Sequence, residues 1–119
     1  MSRIFRSLAV AALLSVSSTL AFAHAAPKVM LPAANSVVSA PAQVSVIFTE
    51  TLEPKFSTLQ LKNDKGEVVS KAASIPDPKN AKHLTLALPT LAPGVYTVHW
   101  VSMADDGHKA SGDYKFTVK

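Results

Sequence analysis

From position 24 onward, apolar side chains recur at every second place in short runs. Val44, Val46 and Phe48 alternate with Ser45, Ile47 and Thr49, and Leu59 and Leu61 alternate with Thr58, Gln60 and Lys62. The same period carries Leu84, Leu86 and Leu88, then Tyr96, Val98 and Trp100, then Tyr114, Phe116 and Val118. Successive side chains of an extended chain point to opposite faces, so each run predicts a strand with one face in the core. These residues are the expected core. Proline and glycine preset the backbone between the runs, at Pro32-Ala33-Ala34-Asn35-Ser36, Asn63-Asp64-Lys65-Gly66, Ile75-Pro76-Asp77-Pro78, Pro93-Gly94 and Asp106-Gly107. About seven short strands result, with no helical period among them. That pattern predicts an all-β domain, an immunoglobulin-like antiparallel sandwich or a small Greek-key barrel.

The first 23 residues follow a different rule. Arg3 and Arg6 form a positive start, Leu8 to Val16 an apolar stretch, and Ala21-Phe22-Ala23 the small-x-small pattern read by signal peptidase. The apolar stretch falls well short of the ~20 residues that span a bilayer. Residues 1–23 are therefore expected to be a signal peptide cleaved after Ala23, and residues 24–119 a single exported domain that begins at His24.

Composition narrows the chemistry. Removing Arg3 and Arg6 leaves ten basic residues against eight acidic ones, so the formal charge falls from +4 to +2. The lysines from Lys28 to Lys119 are scattered among acids, which predicts a solvated surface rather than a track for phosphates. No nucleic-acid partner is expected. The chain has no cysteine, which removes disulfides, thiolate metal sites and cysteine nucleophiles together.

Four histidines survive cleavage: His24, His83, His99 and His108. At a new N-terminus, His24 offers an α-amine and an imidazole on one residue, and the two close a chelate ring on a metal. Cu(II) favours tetragonal nitrogen and oxygen ligands and stands at the top of the divalent affinity order. Histidine at that place by chance is the plain alternative. Asp106-Gly107-His108 sets a carboxylate and an imidazole two residues apart around a glycine that lets the backbone turn. An ordinary Asp-Gly hairpin turn would look the same. Asp106 is preferred to Asp105 for its spacing to His108.

Counting by twos from Val46 and Phe48 puts Glu50 on the inward side at the end of its strand. A bare carboxylate there needs a partner, unless the strand end frays and Glu50 reaches water. His99 and His83 have the parity or position of solvated strand residues. Met30 and Met103 are isolated and read as packing groups, so no dedicated Cu(I) site is expected. No nucleophile elbow, H-E-x-x-H, Walker or dinucleotide motif is present, and Glu50 and Glu53 point to opposite faces of an extended segment. A binding protein rather than an enzyme is expected.

Pro32-Ala33-Ala34-Asn35-Ser36, Ala40-Pro41, Val46-Ile47-Phe48-Thr49-Glu50 and Phe56-Ser57 resemble the first half of the CopC family, which includes PcoC and YobA. Pro93-Gly94-Val95-Tyr96-Thr97-Val98-His99-Trp100, Asp106-Gly107-His108-Lys109 and Gly112-Asp113-Tyr114-Lys115-Phe116-Thr117-Val118 resemble its second half. The resemblance implies an immunoglobulin-like or cupredoxin-like β-barrel that binds one Cu(II) in the bacterial periplasm. It implies that His24 supplies amine and imidazole, that Asp106 and His108 complete the plane, and that Glu50 is an outer or weak axial group. It also suggests the inner-membrane protein CopD as a recipient of copper, with a monomer as the default state. The methionine-rich loop of some members has no counterpart, since 57–83 contains no methionine. His99 stands where relatives have an acid.

The expected role is that of a copper carrier or buffer in homeostasis and resistance. The amine and the imidazoles must lose protons to bind, so affinity should fall on acidification through roughly pH 7 to 5. A copper-brace polysaccharide monooxygenase is the enzyme alternative, but most aromatics fall on core parity and leave no flat platform for a polysaccharide. A metal-free adhesion or assembly module is the other alternative, since the fold alone would permit it.

Overall fold

The structure, a computed structural model, describes residues 24–119. The expected signal peptide lies outside the described residues. Eight strands form, β1 Pro27–Leu31, β2 Val37–Val38, β3 Gln43–Phe48, β4 Thr58–Lys62, β5 Ile75–Asp77, β6 Asn80–Ala87, β7 Gly94–Met103 and β8 Lys109–Val118, with one 3-10 turn at Pro54–Phe56. They make two four-stranded sheets, ordered β1-β3-β6-β5 and β2-β8-β7-β4. All pairings are antiparallel except β2 with β8. The predicted all-β sandwich is what the chain adopts.

The core follows the period of two. Val44, Val46, Phe48, Leu59, Leu61, Leu84, Leu86, Tyr96, Val98, Tyr114, Phe116 and Val118 are all buried, while Leu88 and Trp100 are half-buried and pack against them. Both sheets turn these side chains inward, and each fully buried large apolar residue contributes about 1.5–3 kcal/mol. Without a disulfide, that burial holds the domain together.

Three strands depart from the periodic runs. β2 has two residues, too few to show a period. β1 has mixed exposure, with Val29 and Leu31 turned to solvent. Ile75-Pro76-Asp77, expected as a turn, is instead the edge strand β5, paired with β6 across a register shift. Proline is tolerated there because an edge strand has one side without a ladder partner.

The two longest strands, β7 and β8, pair over their whole length from Gly94↔Val118 to Met103↔Lys109. Their hairpin therefore projects the loop 104–108 at one end of the sandwich. Residues 24–26 reach the same end, where the Ser102 hydroxyl near the end of β7 bonds the Ala25 carbonyl.

Candidate metal centre

Five residues separate the last rung of the β7–β8 ladder from its return, and their backbone is closed on itself. The Ala104 N–H donates to the His108 carbonyl at 2.9 Å, and the Gly107 N–H to the Ala104 carbonyl at 2.9 Å. Gly107 sits at φ +90°, in the left-handed region where a side chain would be strained. Inside the loop the His108 N–H donates to Asp106 Oδ1 at 3.0 Å, an Asx-type closure that aspartate favours. The other carboxylate oxygen, Oδ2, lies 2.9 Å from His108 Nδ1. The His108 backbone N–H, and then its imidazole, hold the Asp106 carboxyl below its ordinary value.

The N-terminal segment runs beside this loop. Ala25 is fully buried, and the Ser102 hydroxyl of β7 donates to its carbonyl at 2.6 Å. Thr49 Oγ1 accepts from the Ala26 N–H at 3.1 Å and donates to the His24 carbonyl at 3.2 Å, while the Thr49 N–H donates to the Ala26 carbonyl at 2.9 Å. The segment 51–53 stitches to the hairpin as well, through Asp105 N–H to Thr51 O at 3.1 Å and Glu53 N–H to Met103 O at 2.8 Å. With backbone fixed on both sides, the rings of His24 and His108 meet edge to face, 6.1 Å between centroids at 76°.

His24, Asp106 and His108, three of the four residues singled out in the sequence, are thus gathered at one end of the sandwich. For Glu50 the backbone follows the second of its two readings, a strand that ends before it. β3 stops at Phe48, so the alternation does not carry on to Glu50, which is half-buried in a bend. Its side chain makes no hydrogen bond or ion pair with the described residues. Asp105 is exposed and joins the site's frame only through its backbone. Among the described residues no three His, Cys, Asp or Glu side chains converge as a metal cluster, so His24 stands near the Asp106–His108 pair without closing a set with it.

The remaining histidines lie elsewhere, on outer sheet faces. His99 Nδ1 lies 2.8 Å from Asp113 Oδ1 across the β7–β8 ladder. His83 bridges Ser45 Oγ at 2.7 Å and Asp77 Oδ2 at 3.1 Å. That Ser-His-Asp chain has the connectivity of a hydrolase triad. Ser45, however, stands mid-ladder, paired with Leu31 on one side and Thr85 on the other. A backbone engaged in the ladder does not supply an oxyanion hole.

Sequence reasoning missed Ala25, Thr49 and Ser102. A signal for Ser102 was there: it follows Tyr96, Val98 and Trp100 on inward parity, and a polar residue on that face needs a partner.

The two-sheet β domain sets the exposed His24 against the His108-bearing hairpin at one end of the sandwich. The chain belongs to the CopC domain family, whose model matches residues 28–119. It is 36% identical over 100 residues to protein YobA of Escherichia coli K12, covering 82% of this chain and 81% of that protein. It is 34% identical over 126 residues to copper resistance protein C of Xanthomonas campestris pv. juglandis, covering 97% and 98%. The crystal structure of CopC from Methylosinus trichosporium OB3b superposes with a TM-score of 0.76 at 31% identity, covering 81% of this chain and 94% of that one.

Proposed function

We propose that this chain is a copper-handling protein of the bacterial periplasm that carries one Cu(II) without chemical turnover. In this reading the chain is cleaved after Ala23. The amine and imidazole of His24 then form one chelate, and His108 and Asp106 fill the adjoining positions. The observation that carries the reading is the approach of the His24 and His108 rings to 6.1 Å from opposite ends of the sequence.

The donors suit the ion. Nitrogen and carboxylate oxygen in a tetragonal set are what Cu(II) takes best. The contact between Asp106 Oδ2 and His108 Nδ1 at 2.9 Å keeps that carboxylate and imidazole together on the hairpin. The terminal amine adds a second nitrogen donor beside the imidazole of His24. Relatives named for copper resistance support copper as the cargo. Glu50, next in sequence to the Thr49 that holds His24, is proposed as an outer or weak axial group, and CopD as the recipient rests on the family resemblance.

Copper titration of the chain beginning at His24, followed by paramagnetic resonance, tests the reading. One equivalent should give a tetragonal nitrogen-rich spectrum, and His24→Ala combined with His108→Ala should abolish it with the fold intact. Unchanged copper binding by that double variant, or by the chain acetylated at its terminus, would overturn it.

A further inference from the structure

The three residues at the chain start have more hold on the fold than a terminus requires. Ala25 has no exposed surface, and the hydroxyl on its carbonyl belongs to Ser102, which is itself 0% exposed. Thr49 grips both neighbours of Ala25, taking the Ala26 N–H and giving its own hydroxyl proton to the His24 carbonyl. Ser102 lies on β7 in one sheet and Thr49 just past β3 in the other, so the segment is pinned between the two layers. Ser102 is also two residues before Ala104, the root of the loop that carries Asp106 and His108.

We infer that Ser102 and Thr49 are positioning residues that set the register of the N-terminus, so that position 24 and no other meets His108. The inference rests on the copper reading for its functional meaning, but the clamp itself is a property of the metal-free chain.

The physical argument has two parts. A buried hydroxyl and a buried carbonyl each need a partner, and here each is the other's, so pulling Ala25 away from Ser102 leaves both unsatisfied. A terminus already held in place also loses less freedom when it binds, and that preorganisation raises affinity without any new ligand. Ala25 fits because it is small. A larger residue at 25 would have no room, and an added residue before it would move the imidazole off the hairpin.

The test uses the chain beginning at His24 and its variants Thr49→Val, Thr49→Ser and Ser102→Ala, with Cu(II) and with no metal. Thr49→Val keeps the shape and removes the hydroxyl, and should lower Cu(II) affinity roughly 10- to 100-fold, mainly through faster release. Thr49→Ser should restore most of it. In the metal-free chain the Ala26 amide should exchange with solvent faster in Thr49→Val and regain protection in Thr49→Ser while core amides such as Val98 keep theirs, whereas a general loss of stability would speed them all. Inserting one alanine between His24 and Ala25 should weaken copper as much as His24→Ala does.

Should Ser102→Ala fail to fold, the threonine pair carries the test alone. A parent chain that binds Cu(II) through His24 while Thr49→Val binds and releases it equally well overturns the inference and spares the copper reading. A parent chain that binds no Cu(II) overturns that reading, and Ala26 exchange then decides the clamp: unchanged protection in Thr49→Val sinks it too.

Discussion

The indole of Trp100 lies across Gly112, its partner on β8, so closely that a Cβ built on the glycine would stand 2.6 Å from Cζ2 and 2.9 Å from Cε2. The same indole meets Phe48 edge to face at 5.9 Å between centroids. It fills the inner layer of β7 two positions before Ser102, and so supports the end of the sandwich where His24 and Ala25 dock. Gly112→Ala should push the ring out and cost about 1–3 kcal/mol, as overpacking does. Urea unfolding followed by Trp100 fluorescence measures it, and an unchanged midpoint would mean the indole shifts freely.

The outer face of the β1-β3-β6-β5 sheet carries the chain Ser45, His83, Asp77, which ties the edge strand β5 to the sheet interior. The Lys79 backbone N–H, and then His83, hold the Asp77 carboxyl below its ordinary value. A carboxyl depressed in the folded state stabilises it above the unfolded pKa, about 3.9, and that stabilisation is lost as pH falls through the lower folded value. Asp77→Asn should therefore unfold at lower urea than the parent at pH 7. The gap should close below about pH 4, and a constant gap down to pH 3 would contradict the assignment.

Two inward tyrosines differ in how their hydroxyls fare. Tyr96 donates to the Ala92 carbonyl at 2.7 Å, while the buried Tyr114 hydroxyl has no hydrogen-bond partner among the described residues, and burial raises its pKa. Tyr96→Phe should cost about 0.5–1.5 kcal/mol, and Tyr114→Phe should be neutral or stabilising, since an unmade buried hydrogen bond is a liability. Thermal unfolding of the two variants side by side gives the contrast. Equal losses would show that Tyr114 is satisfied in solution.

Glu50 separates an outer group from a ligand. Under the proposed copper set, Glu50→Gln should lower Cu(II) affinity by no more than about 100-fold and leave the tetragonal spectrum in place. His108→Ala should change the spectrum itself. Competitive titration with paramagnetic resonance distinguishes the two, and a Glu50→Gln spectrum that loses its tetragonal form would promote Glu50 to an equatorial ligand.

Most of the sandwich was legible along the chain because a period of two and its turn residues are local properties. Val46, Leu61, Val98 and Phe116 point inward whatever their neighbours turn out to be. Asp106 and His108 were legible for the same reason, being two residues apart around Gly107. What was not legible depends on the other strands: Pro76 reads as a turn until an edge is available to hold it, and the alternation through Val46 and Phe48 leaves open whether the strand carries on to Glu50 or ends before it, as β3 does at Phe48. The meeting of His24 with His108 was decided only by tertiary structure. It needs Ser102 and Thr49, from opposite sheets, to grip the backbone of Ala25 and its neighbours, and hydrogen bonds between residues so far apart in sequence leave no periodic mark.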